Sequence, residues 1–298
     1  MNILYAAVVL GAMGLVFGLL LAFVNKKFAV PTNPKQGEVR DALPGANCGG
    51  CGYPGCDACA EAIADGKAPV DVCPVGGKDV AERVAVIMGV EAKPAAVKMV
   101  STVLCQGGAG KSVNKFEYQG IHDCVAASLV DGGQKACKVG CLGFGTCARA
   151  CPFDAIHMDP VTSLPVVDEE KCTSCTQCVA ACPKGVLKMM PRGSSPVIKC
   201  RNTDRGKAVM DVCSIGCIGC TKCAKACPDA VSMNGTLPVV DYSVEGDHSE
   251  AARTCPTGAM WAKGVDHDAI VAAQEATKKA KAEAAAKAKA EAAAKAEA

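Results

Sequence analysis

Residues 3–24, ILYAAVVLGAMGLVFGLLLAFV, form an uncharged and mostly apolar run. A stretch of this length reaches across a bilayer as one helix. Asn25, Lys26 and Lys27 follow at once, while Met1 and Asn2 carry no side-chain charge. A cleaved leader would instead show a basic start, a shorter apolar stretch and small residues at a cleavage point. The pattern predicts a single-pass anchor over residues 1–27. Lysines on its C-terminal flank put the rest of the chain on the cytoplasmic side of the cytoplasmic membrane.

Beyond Pro31 to Pro34 no apolar run of that length recurs. A first compact region extends from about Gln36 to Val90 (bounds 32–92), with a helix expected from about Ala58 to Asp65. A linker rich in Ala, Lys and Val leads to the strand-like VKMVSTVL. From Cys124 the chain repeats itself. C-x12-C-x3-C-x5-C-x3-CP, from Cys124 to Pro152, corresponds to C-x12-C-x3-C-x2-C-x2-C-x3-CP, from Cys200 to Pro228. Each copy is followed by a strand-and-turn segment, DAIHMDPVTSLPVVD or DAVSMNGTLPVVD. Two related modules are expected, at 100–192 and 196–264. Residues 268–298 are an Ala/Lys/Glu tail, expected as a partly helical, solvated rod. The predicted architecture is α+β: one N-terminal transmembrane helix, a small metal-binding domain, two ferredoxin-like modules and the helical tail.

Composition narrows the chemistry. Of 298 residues, 22 are Cys, against one Trp, four Tyr and six Phe, so a large aromatic core is unavailable. Such density of cysteine means either disulfide staples or metal ligation in a reducing compartment. Most of the cysteines lie two to five residues apart, which favours thiolates converging on a metal centre. A net charge of +2 gives no footprint for nucleic acid.

CTSCTQCVAACP, from Cys172, is the uninterrupted C-x2-C-x2-C-x3-C-P run, in which three cysteines hold one 4Fe–4S cluster and the fourth ligates the other. Structural zinc would need only tetrahedral pairs. Cys172, Cys175 and Cys178 are therefore expected to share a cluster with Cys151. The partner run, CKVGCLGFGTCARACP, is irregular, because Phe144 stands where a thiolate belongs. Its cluster is expected to take Cys141, Cys147 and Cys182, with Cys137 as displaced fourth ligand across the turn at Gly140. A 3Fe–4S cluster with Cys137 free is the alternative, and Cys105 and Cys124 are also within reach.

In the second repeat, CIGCTKCAKACP restores the run at Cys217, Cys220, Cys223 and Cys227, and Cys255 completes the set for the first three. Cys227 is left without its partner trio; Cys200 and Cys213 are candidates to join it, with Cys105 or Cys124. Near the anchor, Cys48, Cys51, Cys56 and Cys73 form a further four-thiolate set among closely spaced glycines, with Cys59 as a small buried residue. At least four 4Fe–4S clusters are expected, three of them on the clearest spacing. CQGGAGKS departs from the phosphate-loop pattern at its first glycine, where Cys105 stands, and is read as a glycine turn beside a cluster ligand. There is no plausible catalytic triad, and the four histidines are read as surface or structural residues.

The anchor, CGGCGYPGC…CP, YQGIHDC and GCLGFGTCARACPFDAI together resemble the B subunits of the Rnf complexes, in their longer form. The resemblance runs to about residue 262. It implies electron transfer within an ion-translocating (Na+ or H+) ferredoxin:NAD+ oxidoreductase. Cys48, Cys51, Cys56 and Cys73 would hold the membrane-proximal cluster, and the ferredoxin-like clusters would serve electron entry from soluble ferredoxin. Flavin-bearing and integral-membrane subunits would be partners, with lipid around the anchor. The iron–sulfur subunit of another membrane dehydrogenase or reductase is the nearest rival, although such chains generally carry four standard runs. A zinc-stapled scaffold is the rival from a different class.

Overall fold

The computed structural model describes residues 2–27, 33–91, 97–267, 269–273 and 276–277. Helix α1 (Asn2–Lys27) is one continuous element, about 39 Å long at 1.5 Å per residue. Leu10, Phe17 and Phe23 on it are exposed, and none of the window from Ala7 to Lys27 is buried against the rest of the protein. By length and composition it could cross a membrane. Apart from 269–273 and 276–277, the low-complexity tail at 268–298 lies outside the described residues.

Three helices follow: α2 (Lys35–Ala42), α3 (Cys56–Ala64) and α4 (Gly77–Met88). In α4 the apolar residues Val80, Val84 and Ile87 recur at helical spacing, and the helix closes at Gly89, whose φ of +73° needs no Cβ. Helices α2, α3 and α4 pack around Val39, Ile63, Val80 and Val84, an aliphatic core that also holds Cys59. Ile63 is 1% exposed. Ile63→Ala is expected to destabilise this domain by about 2–5 kcal/mol. Faster amide exchange in α2–α4, with no change beyond residue 97, is the expected readout.

The first ferredoxin-like module opens with β1 (Met99–Val103), in the segment VKMVSTVL, followed by α5 (Cys124–Ser128) and α6 (Thr146–Arg149). The hairpin β2 (Ile156–Met158) and β3 (Pro165–Val167) comes next, then α7 (Gln177–Ala180) and β4 (Leu187–Pro191). The first and last strands pair antiparallel, from Met99↔Pro191 to Val103↔Leu187, and so close the module. The second module repeats the plan with β5 (Val197–Ile198), α8 (Lys207–Met210), α9 (Lys222–Ala226), the hairpin β6 (Val231–Asn234)/β7 (Leu237–Val240), α10 (Glu250–Arg253) and β8 (Met260–Trp261). Here too the terminal strands pair, Val197↔Trp261 and Ile198↔Met260. Every sheet among the described residues has only two strands. Two-stranded sheets are marginal on their own, so the stability of these modules has to come from what fills them.

Candidate metal centres

In both modules the cysteine loops rise through a left-handed residue immediately before a short helix. Thr176 (φ +62°) precedes α7, Thr221 (φ +62°) precedes α9 and Gly145 (φ +72°) precedes α6. A β-branched residue in this region is strained, and the repeat of the same strain at equivalent positions marks a built loop. The turn aims the next residue but one, Cys178, Cys223 or Cys147, back into a hollow.

Three hollows lie in the two modules. One is lined by Cys151, Cys172, Cys175 and Cys178. A second is lined by Cys217, Cys220, Cys223 and Cys255. Both sets are those that the cysteine spacing pairs. The third is lined by Cys124, Cys141, Cys147 and Cys182. Here the fourth thiol comes from Cys124, whereas the spacing favours Cys137.

The reason is Phe144. Its ring packs against Tyr118 (5.3 Å between centroids) and His122 (5.4 Å). The same segment ends in Asp123, which caps α5 by accepting from the amides of Val125 and Ala126. Asp123 also accepts from Thr146 Oγ1 and Arg149, while the amide of Cys124 donates to Thr146 Oγ1 at 2.8 Å. Led by the Thr146 hydrogen bond, these donors hold the Asp123 carboxyl below the usual carboxylate range. Phe144, standing where the regular run has a cysteine, thus anchors the segment that brings Cys124 to this hollow. An aromatic in a ligand slot, with Tyr and His just upstream of a stray cysteine, was the available sequence signal.

Cys137 instead lines a fourth hollow, together with Cys105, Cys200 and Cys213. Cys227, expected as a ligand, lines none of these hollows. It sits in the apolar core of the second module, with its Sγ 3.7 Å from the carbonyl of His248. In the N-terminal domain Cys51, Cys56 and Cys73 pack around one core, and Cys59 lies beside Cys51. Cys48 stands on the adjoining loop at the junction with the first module. Its carbonyl accepts from Gln177 Nε2, and Gly50 meets Cys175 so closely that a Cβ there would lie 3.0 Å from the Cys175 backbone.

Burial pushes these thiols up: Cys141 and Cys217 to about 12, Cys147 and Cys213 to about 11. Without metal they are protonated at neutral pH, and metal binding must release those protons. The donor sets contain thiols alone. No three His, Cys, Asp or Glu among the described residues converge as they would on a single ion; the thiols line the hollows in fours, the number of ligands a 4Fe–4S cluster takes. Backbone amides supply further polarity: Ser101 donates to Cys172 Sγ (3.5 Å), Ala155 to Cys151 Sγ (3.4 Å) and Met260 to Cys255 Sγ (3.4 Å). The residues present fit iron–sulfur clusters.

Family comparisons agree. An Fe-S cluster family model matches residues 43–75, and a 4Fe-4S dicluster domain model matches residues 136–186. The fold and these sites define an iron–sulfur protein of ferredoxin type. Over 83% of its length the chain is 48% identical to the B subunit of the Na+-translocating ferredoxin:NAD+ oxidoreductase complex of Acetobacterium woodii, covering 74% of that protein. Over 87% of its length it is 47% identical to the B subunit of the proton-translocating ferredoxin:NAD+ oxidoreductase complex of Clostridium ljungdahlii, covering 92% of it. The B subunit of an ion-translocating oxidoreductase complex of Methanosarcina acetivorans is 41% identical over 81% of this chain and is covered over 89%. This chain belongs to the family of B subunits of ion-translocating ferredoxin:NAD+ oxidoreductase (Rnf) complexes.

Proposed function

We propose that this chain is the membrane-anchored electron-transfer subunit of an ion-translocating ferredoxin:NAD+ oxidoreductase, relaying electrons from soluble ferredoxin to integral-membrane and flavin-bearing partner subunits. The observation that carries the reading is three hollows, each lined by four cysteines, in a chain of this family. Four 4Fe–4S sites are assigned: Cys48, Cys51, Cys56 and Cys73; Cys151, Cys172, Cys175 and Cys178; Cys124, Cys141, Cys147 and Cys182; and Cys217, Cys220, Cys223 and Cys255. A cluster bound at each would exchange single electrons at a potential set by its surroundings.

The chain's own residues would do the rest. Cys147 lies in α6 with Cys151 two residues beyond its end, and Cys178 lies in α7 with Cys182 two residues beyond its end, so each short helix ties the two sites of the first module together. Leu142, Met158, Val186 and Ile156 wall these sites against water. The amides of Ser101, Ala155 and Met260 polarise ligand sulfur and would favour the reduced state. Gly50 and Gln177 hold the N-terminal site against the first module. Nothing in this arrangement would make or break a bond in a substrate, and NAD+ reduction would belong to the assembled complex. Lys26 and Lys27 favour a cytoplasm-facing body.

Protein purified without oxygen should be brown, carry four irons and four acid-labile sulfides for each assigned site, and give EPR signals on reduction. Reduced ferredoxin should bleach it rapidly. A colourless protein rich in zinc or in disulfides would refute the reading. Deleting residues 1–32 is expected to move the protein from the membrane fraction to the soluble fraction with its iron content unchanged, as fractionation and iron analysis would show.

A further inference from the structure

The assigned sites leave six of the cysteines unused. Cys59 and Cys227 are packed in apolar cores. The other four, Cys105, Cys137, Cys200 and Cys213, all line one hollow between the modules. We propose that this hollow is a further 4Fe–4S site, its ligands drawn from both modules.

The walls are built for it. Cys137 and Cys213 are buried, and four thiols line the hollow without a carboxylate or imidazole among them. Gly107, in the CQGGAGKS turn, lies against two of these sulfurs: a Cβ there would be 3.2 Å from Cys213 Sγ and 3.7 Å from Cys105 Sγ. Only glycine leaves that space open. The turn is held by Ser112, whose Oγ donates to the Gly107 carbonyl at 2.6 Å and accepts from Lys135 Nζ at 2.7 Å. It is laced to the second module by Val113 N to the Val212 carbonyl (3.0 Å) and Ser214 N to the Lys111 carbonyl (2.9 Å). Gln106 Nε2 donates to the Gly258 carbonyl at 2.9 Å. The phosphate-loop-like glycines thus serve a sulfur site and an inter-module joint.

Position gives the site its use. Cys137 lies one turn before Cys141 of the first module's irregular site, and Cys213 lies equally before Cys217 of the second module's site. The amide of Cys141 donates to Cys105 Sγ at 3.4 Å, so the two sites share a wall. Among the described residues no other thiol set bridges the modules. A cluster here would pass one electron at a time between its neighbours, being reduced as one is oxidised. Lys199, stacked over Trp261 at 4.0 Å, and Arg201 also line the hollow, and their positive charge would favour the reduced cluster.

The test uses the full chain, purified without oxygen. Cys200→Ser/Cys213→Ser is expected to lose four irons and four sulfides per chain and one EPR component, and to slow electron exchange between the modules. Cys105→Ser, placed in the other module, should weaken or lose the same component while the signals of the second module persist; that variant separates ligand loss from misfolding of the second module. Unchanged iron and EPR in both variants, or loss of zinc in place of iron, would overturn the proposal. Because the four sites assigned above would still be counted by their own iron, that outcome would leave the electron-transfer reading standing.

Discussion

Cys124→Ser will remove or cripple the cluster of the first module's irregular site, whereas Cys137→Ser will leave that cluster's EPR signal in place. The geometry behind this is specific: Cys124 lines the hollow with Cys141, Cys147 and Cys182, and Cys137 does not. Serine keeps the side-chain size but is a poor ligand for a soft iron–sulfur core. The Cys124 variant should therefore lose either a whole cluster, four irons per chain, or one iron, leaving a 3Fe–4S cluster visible by EPR in the oxidised state. Cys137→Ser should instead affect the inter-module site. Iron analysis with EPR of both variants decides the matter. If Cys137→Ser alone abolished the first-module signal, the assignment from Phe144 and its aromatic neighbours would fail. A companion change, Phe144→Ala, should loosen the segment Tyr118–Cys124 and make the same cluster labile to oxygen, since it removes the ring that anchors that segment.

Iron extraction is expected to unfold residues 99–262 while leaving most of the α2–α4 domain helical. The second module's core consists of Cys223, Cys227 and Cys255 with alanines, Val231 and Met260; the first has Cys141, Cys147 and Cys178 with Ile156, Val186 and Leu187, and a small second cluster of Val100, Ala155 and Cys172. Two-stranded sheets and helices of four or five residues cannot stand on such small cores. In metal-stapled domains of this kind the binding energy is folding energy, on the order of 10 kcal/mol per site for structural metal. Extraction also strands buried thiols, with Cys141 and Cys217 pushed up to about 12. Because iron displaces their protons, the stripped state should be increasingly favoured as pH falls. Limited proteolysis should cut the stripped protein first between 99 and 262, and hydrogen exchange there should approach that of an unfolded chain. The α2–α4 domain keeps Val39, Ile63, Val80 and Val84 and should resist longer. Equal resistance of both regions after iron removal would show that the modules do not depend on their clusters.

The sequence alone was sufficient wherever the chemistry is local. A three-cysteine loop brings its thiols together within a few residues, so Cys172, Cys175 and Cys178, and likewise Cys217, Cys220 and Cys223, could be grouped from spacing. The repeat also pointed to Cys151 and Cys255, which line the same hollows as those loops. The hairpins of each module and the uncharged run at 3–24 could be read in the same way, since turn residues and unbroken hydrophobicity act over short distances. The tertiary structure decided what depends on chain segments meeting from afar. It put Cys124 beside Cys141, Cys147 and Cys182, through ring packing and the Asp123 network that no spacing rule contains. It withdrew Cys227 into an apolar core, because the second module lacks the run that would have given this cysteine a cluster to complete. It also brought Cys105, Cys137, Cys200 and Cys213 to one hollow at the joint between modules, a meeting fixed by how two folded units dock and therefore absent from either unit's own pattern.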